Sequence, residues 1–99
     1  MTLDVCDFYT GKMMCYWIEV THIIGDEEEL IASIDFIGGD FQTWCMIPYS
    51  EWEDLPLDND DEYKFTLYHG IPDKGAFDEH ELTVIGKNEE ETIVFFEIN

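Results

Sequence analysis

Carboxylates are the residues of this chain whose number and spacing offer the most chemistry. They fall chiefly in four runs: Asp26, Glu27, Glu28 and Glu29; Glu51, Glu53, Asp54, Asp58, Asp60, Asp61 and Glu62; Asp78, Glu79 and Glu81; and Glu89, Glu90 and Glu91. Chelation of a cation needs such groups at fixed positions. Asp58, Asp60 and Glu62 match the first, third and fifth positions of a calcium loop, but the sixth is Tyr63 instead of glycine and the twelfth is His69 instead of a bidentate glutamate, which excludes an EF-hand. Hydrolysis by paired carboxylates needs two acids singled out by a pocket, and no pattern in the chain selects a pair. What remains is recognition, in which carboxylates meet the arginines and lysines of a partner.

The other reactive side chains add no competing chemistry. His22, His69 and His80 are scattered, without the H-x-x-x-H or H-E-x-x-H spacing of a metal site. Cys6, Cys15 and Cys45 are odd in number and lack a C-x-x-C pair, a pattern that fits three reduced thiols better than a disulfide framework or a zinc site. Gly38-Gly39 reads as a turn, and there is no glycine-rich phosphate loop. The expectation is a protein that is not an enzyme and holds neither metal nor cofactor. Trp52, between Glu51 and Glu53, has two readings: an aromatic interface anchor ringed by carboxylates, or the inward face of a short helical turn. Trp17 and Trp44 lie in strand-like segments and are expected in the core.

Against 24 Asp and Glu stand only four Lys and no Arg, so the 99 residues carry a formal net charge of −20. A chain so charged is disordered only if it lacks apolar residues, and 45% hydrophobic with 15% aromatic content predicts that this one folds. One domain is expected, with a radius of gyration of roughly 13 Å and a diameter of roughly 33 Å. The charge repels nucleic acid phosphates and anionic lipid alike, excluding direct binding to either. No stretch approaches the roughly 18 apolar residues of a membrane helix, and Met1-Thr2-Leu3-Asp4 does not read as the start of a secretory signal, so a cytoplasmic location is expected. Self-repulsion of this size opposes folding, and carboxylates at such density serve a purpose other than folding.

Duplex DNA carries one negative charge per roughly 1.7 Å of axis, so about twenty phosphates span roughly 34 Å, close to the expected diameter of the domain. In this, over its whole length, the chain resembles the small acidic DNA-mimic inhibitors encoded by phages and other mobile elements, anti-restriction and anti-CRISPR proteins among them. The resemblance rests on length, charge and carboxylate clustering. It implies occupancy of the basic groove of a nucleic-acid enzyme in the cytoplasm of a bacterial host. A CRISPR effector nuclease, whose arginines read a short duplex motif, is the preferred partner, and a restriction enzyme the next. An immunity protein that neutralises a nuclease toxin would show the same acidic surface. A housekeeping domain of a salt-adapted organism would carry its carboxylates as an even shell.

The elements that must position these groups read mainly as strands. Residues 12–24 alternate with Met14, Tyr16, Ile18, Val20 and Ile24 on one face, a half-buried strand. Residues 3–9 precede it across a two-residue turn at Thr10-Gly11, a register that places Cys6 opposite Cys15, Phe8 opposite Met13, Val5 opposite Tyr16 and Leu3 opposite Ile18. Residues 26–37 fit a helix or a strand, and β-branched content favours a strand with Leu30, Ala32, Ile34 and Phe36 on one face. Residues 41–47, 62–69, 81–85 and 92–98 complete seven strands. Residues 70–77 form an irregular connection, residues 86–89 a turn, and Val94, Phe96 and Ile98 share a face. Ser50-x-x-Glu53 is a capping-box spacing that predicts one helical turn over residues 51–55. The fold class is mainly β: a small antiparallel sheet, sandwich or barrel with one short helix.

Overall fold

Period-2 alternation of apolar and polar side chains dominates the chain, and the structure, a computed structural model, turns nearly all of it into antiparallel strands. It describes residues 3–5, 15–58, 60–71, 75–88, 90 and 92–99. In chain order these form β1 (Leu3–Val5), β2 (Cys15–Ile24), β3 (Glu27–Ile34), β4 (Phe36–Gly39), β5 (Trp44–Pro48), the helix α1 (Tyr49–Glu53), β6 (Glu62–Ile71), β7 (Gly75–Asn88) and β8 (Ile93–Ile98). The strands make one antiparallel sheet in the order β1-β4-β5-β8-β7-β6-β2-β3, curled into a half-barrel. The mainly β class with one short helix is thus the observed one.

Curling buries one face of the sheet against itself. Ile18 and Val20 of β2, Ile34 of β3, Ile37 of β4, Cys45 and Ile47 of β5, Leu67 of β6, Leu82 of β7, and Val94 and Phe96 of β8 form a single core. Full burial of each large apolar side chain contributes about 1.5–3 kcal/mol, the main force opposing the repulsion among the carboxylates. Trp52 of α1 extends this core. Its ring stacks on Phe65 at 5.6 Å, tilts against Phe96 at 6.4 Å, and carries the Lys87 ammonium 4.4 Å from its centroid.

Several expectations are corrected by the backbone. β3 and β4 are the expected strand 26–37 broken at Asp35, so the described residues form eight strands, in keeping with the about seven expected. Since β3 and β4 lie at opposite sides of the sheet, this one-residue corner carries the chain from one side to the other. A bulge opposite Val20 and Thr21 leaves Ile31 without a register partner and shifts the phase of β3. Leu30 and Phe36 are consequently exposed, while Ile34 and Ile37 point into the core. The expected N-terminal register does not form either: Leu3 lies opposite Gly38 and Val5 opposite Phe36, because β1 pairs with β4. The Thr10-Gly11 turn and the Cys6–Cys15 and Phe8–Met13 pairs lie outside the described residues.

Residues 41–43 form a turn instead of the start of a strand, organised by Asp40. Its Oδ1 accepts the backbone N–H groups of Gln42, Thr43 and Trp44 at 2.9, 2.8 and 3.0 Å, and its Oδ2 accepts the Thr43 hydroxyl at 2.6 Å. α1 begins at Tyr49 after an extended Pro48, with Ser50 inside it and no side-chain cap, so the expected capping box does not form. Strand β7 begins at Gly75, inside the expected 70–77 connection, and runs through the expected turn to Asn88. Its bulges at Phe77 and Ile85 eject both side chains into solvent.

Trp17 and Trp44 are also corrected: they alternate with the buried Ile18 and Cys45 and therefore face outward, half-buried, the first stacked on Tyr68 and the second tilted against Phe95. Cys15 is disulfide-bonded, contrary to three reduced thiols, while Cys45 is a free, buried thiol. An odd count accommodates one bond and one free thiol as readily as three free ones. The radius of gyration is 13.4 Å and the principal extents are 39 × 36 × 24 Å.

Candidate functional site

Strand direction decides where the carboxylates go. β2 ends at Ile24 and hands over to β3 through Gly25 in the left-handed region, β6 starts at Glu62 opposite Ile23, and β7 ends at Asn88 opposite Ile93, which is also the partner of Pro48 at the end of β5. All these termini lie at one end of the half-barrel. Asp26, Glu27, Glu28 and Glu29 of the β2–β3 hairpin and Asp58, Asp60, Asp61 and Glu62 before β6 therefore share that end. Glu51 and Glu53 of α1, Asp54 after it and Glu90 of the β7–β8 turn lie there too. Asp61 reaches His22 of β2, Oδ2 to Nε2 at 3.3 Å, and the Asp58 backbone N–H donates to the Tyr63 hydroxyl at 2.6 Å, so this loop is tied to the ends of β2 and β6.

From this end the acidic surface continues over the outer face of the sheet. Side chains directly opposite in an antiparallel pair share a face, so Glu19, Thr66 and Glu81 form one row across β2, β6 and β7. Trp17, Tyr68 and Glu79 form the next row, and Thr83 with Glu97 extends the face onto β8. Glu79 and Glu81 occupy alternate positions of one strand, at the expected same-face spacing of roughly 6.6–6.8 Å. Lys64 sits within this surface, its ammonium 3.7 Å from Glu28 on β3 and 3.9 Å from Glu81 on β7. Burial, and after it the carboxylates of Glu19, Glu79 and Glu28, raise the Tyr68 phenol above its ordinary range.

The expected site residues thus separate into groups. The first run, the second run and Glu90 converge on one end; Glu79 and Glu81 line the outer face, joined to the first run where Lys64 bridges Glu28 and Glu81. Asp78 lies opposite His69, toward the other end of the sheet. Glu89 and Glu91 lie outside the described residues. Of the two readings of Trp52, the packing favours the inward face of the helical turn: its partly buried ring packs against the core and carries the Lys87 ammonium. Glu19 and Glu97 belong to the acidic outer face and fall in none of the four runs. Their sequence signal is alternation, since each holds a polar position between inward-facing residues, Glu19 between Ile18 and Val20 and Glu97 between Phe96 and Ile98.

Asp40 is acidic but not available to a partner in the same way. The four hydrogen bonds it accepts, that from the Thr43 hydroxyl foremost, hold its carboxyl well below the usual carboxylate range. Among the described residues no group of three or more His, Cys, Asp and Glu is placed to hold a metal ion. An open cleft is lined by Pro48, Tyr49, Ser50, Glu53 and Thr92, and among these residues Glu53 is the one carboxylate. Among the described residues, no helix is long and apolar enough to cross a membrane.

Fold and site together define a small curled antiparallel sheet with one acidic end and an acidic outer face. No protein-family model, curated protein or solved structure matches the chain.

Proposed function

We propose that the protein is an acidic DNA mimic, a stoichiometric inhibitor that occupies the basic nucleic-acid-binding surface of an effector nuclease and excludes DNA. The observation that carries this reading is the convergence of carboxylates from runs far apart in sequence on one end of the half-barrel, continuous through Glu28 and Glu81 with the outer face. An even acidic shell, which solubility in high salt would require, does not concentrate charge in this way. Dimensions support the reading as well. A duplex as long as the 39 Å principal extent carries about 23 phosphates, against a net charge of −20 here. A CRISPR effector nuclease remains the preferred target, with a restriction enzyme next.

Charge-steered association is fast and falls steeply with ionic strength. The test is order-of-addition competition: effector is mixed with the protein, labelled target DNA is added, and bound DNA is measured. Mimicry requires the preformed complex to resist DNA. A ternary complex holding both at the same effector site would sink it. Neutralising Glu51, Glu53, Asp54, Asp60 and Asp61 together should weaken competition while leaving the circular dichroism of the sheet in place.

A further inference from the structure

Opposite one another on the outer face of β2 and β6, Trp17 and Tyr68 stack with ring centroids 5.7 Å apart and planes at 17°. Trp17 Nε1–H donates to Glu19 Oε2 at 3.2 Å, and Glu79 is the register partner of Tyr68 on β7. β3 ends at Ile34, opposite Ile18, so among the described residues no β3 residue stands in register beside Trp17. Trp17, Glu19 and Tyr68 are half-buried and Glu79 is exposed.

Two aromatic planes, one carboxylate tethered to the indole and a second in register beside the phenol match one chemical group better than others. A guanidinium is planar, stacks on an aromatic face and donates fixed N–H groups to carboxylate oxygens, whereas an ammonium is compact and strongly hydrated. Both described lysines are engaged elsewhere, Lys64 with Glu28 and Glu81 and Lys87 over Trp52. The chain has no arginine, so a guanidinium for this place is drawn from a partner, as the net charge of −20 favours. We propose that the Trp17–Tyr68 face of β2 and β6 is a docking point for an arginine of the basic partner, its guanidinium stacked on Trp17 and hydrogen-bonded to the Glu19 carboxylate. This rests on the inhibitor reading above and names a contact within it.

The test uses octa-arginine and octa-lysine peptides, equal in charge, titrated at 0.15 M salt. The probe is the indole N–H cross-peak of Trp17 in a nitrogen–proton correlation spectrum, assigned by Trp17→Phe. Octa-arginine should move this peak and bind about two- to five-fold more tightly than octa-lysine, the margin of one exposed cation–π contact. Trp17→Ala should abolish the margin, and Glu19→Gln, which keeps the ring, should weaken the arginine peptide more than the lysine one. Equal affinity for the two peptides overturns the proposal, as does a silent Trp17 peak while residues 51–62 shift. The competition experiment separates the two readings. Should wild type fail to exclude DNA from nucleases while the arginine margin stands, the inhibitor reading falls alone. Should Trp17→Ala exclude DNA as well as wild type, the docking point falls alone.

Discussion

Replacing Trp52 with alanine separates its two readings by size of effect. The ring is half-buried, so truncation forfeits about half of the 3–5 kcal/mol lost at a fully buried aromatic, or about 2 kcal/mol. Loss of the stack on Phe65 and the tilted contact with Phe96 costs about 1 kcal/mol more. Loss of the Lys87 ammonium over the ring costs about 0.5 kcal/mol. The expected destabilisation of about 3.5 kcal/mol is a large share of the 5–15 kcal/mol available to a domain of this kind. It lowers the melting temperature by about 14–28 °C. Urea denaturation followed by far-ultraviolet circular dichroism measures it, with an unchanged slope showing that the same surface unfolds. Trp52→Phe keeps a ring in the stack and should lose much less. A loss below about 1 kcal/mol for the alanine variant, the scale of an ordinary surface substitution, would refute the packing argument and return Trp52 to the interface.

Other perturbations follow from particular contacts. Asp40 has its folded-state pKa depressed by the bonds it accepts, so its contribution is present above the ordinary carboxylate pKa and fades as pH falls through and below about 4. The stability difference between wild type and Asp40→Ala should therefore be larger at pH 7 than at pH 2.5 in parallel urea titrations; a difference independent of pH would contradict it. Burial, with the nearby Asp40 carboxylate, pushes the Cys45 thiol up to about 12, so iodoacetamide at pH 8 should leave it unmodified in the folded protein and alkylate it in urea, as mass spectrometry would show. A Cβ at Gly70 would lie 2.8 Å from the Ala76 Cα and press on the Gly75 carbonyl, so Gly70→Ala should cost about 1–3 kcal/mol. At Gly86 a Cβ would meet nothing within 4 Å, so the same denaturation assay on Gly86→Ala should show little loss.

What the sequence made legible was alternation. Tyr16, Ile18 and Val20 face inward together as read, and so do Val94, Phe96 and Ile98, because period 2 depends only on local backbone geometry. The departures arise where the third dimension intervenes. The extra residue Ile31 in a bulge inverts the face of Leu30, and the corner at Asp35 splits one apolar run into two strands on opposite sides of the sheet. The partner of β1 could not be read because β4 competes with the hairpin neighbour, and pairing across the sheet leaves no local mark. For the site, the runs gave the acidic end. Glu19 and Glu97 were missed because a lone glutamate in a strand is noticed only once its face is known to be shared with Glu79 and Glu81.

The corner at Asp35 also governs how the fold can come apart. It fastens β3, the last strand on one side, to β4, the second on the other, through a single residue. Sheets ordinarily fray by shedding a border strand while the remainder stays intact. Here β3 cannot leave β2 without pulling on β4, which lies between β1 and β5, so the corner couples one border of the sheet to the interior strand next to the other border. A chain that carries so much like charge thereby has one of its two borders, β3, held against opening by a strand from the far side.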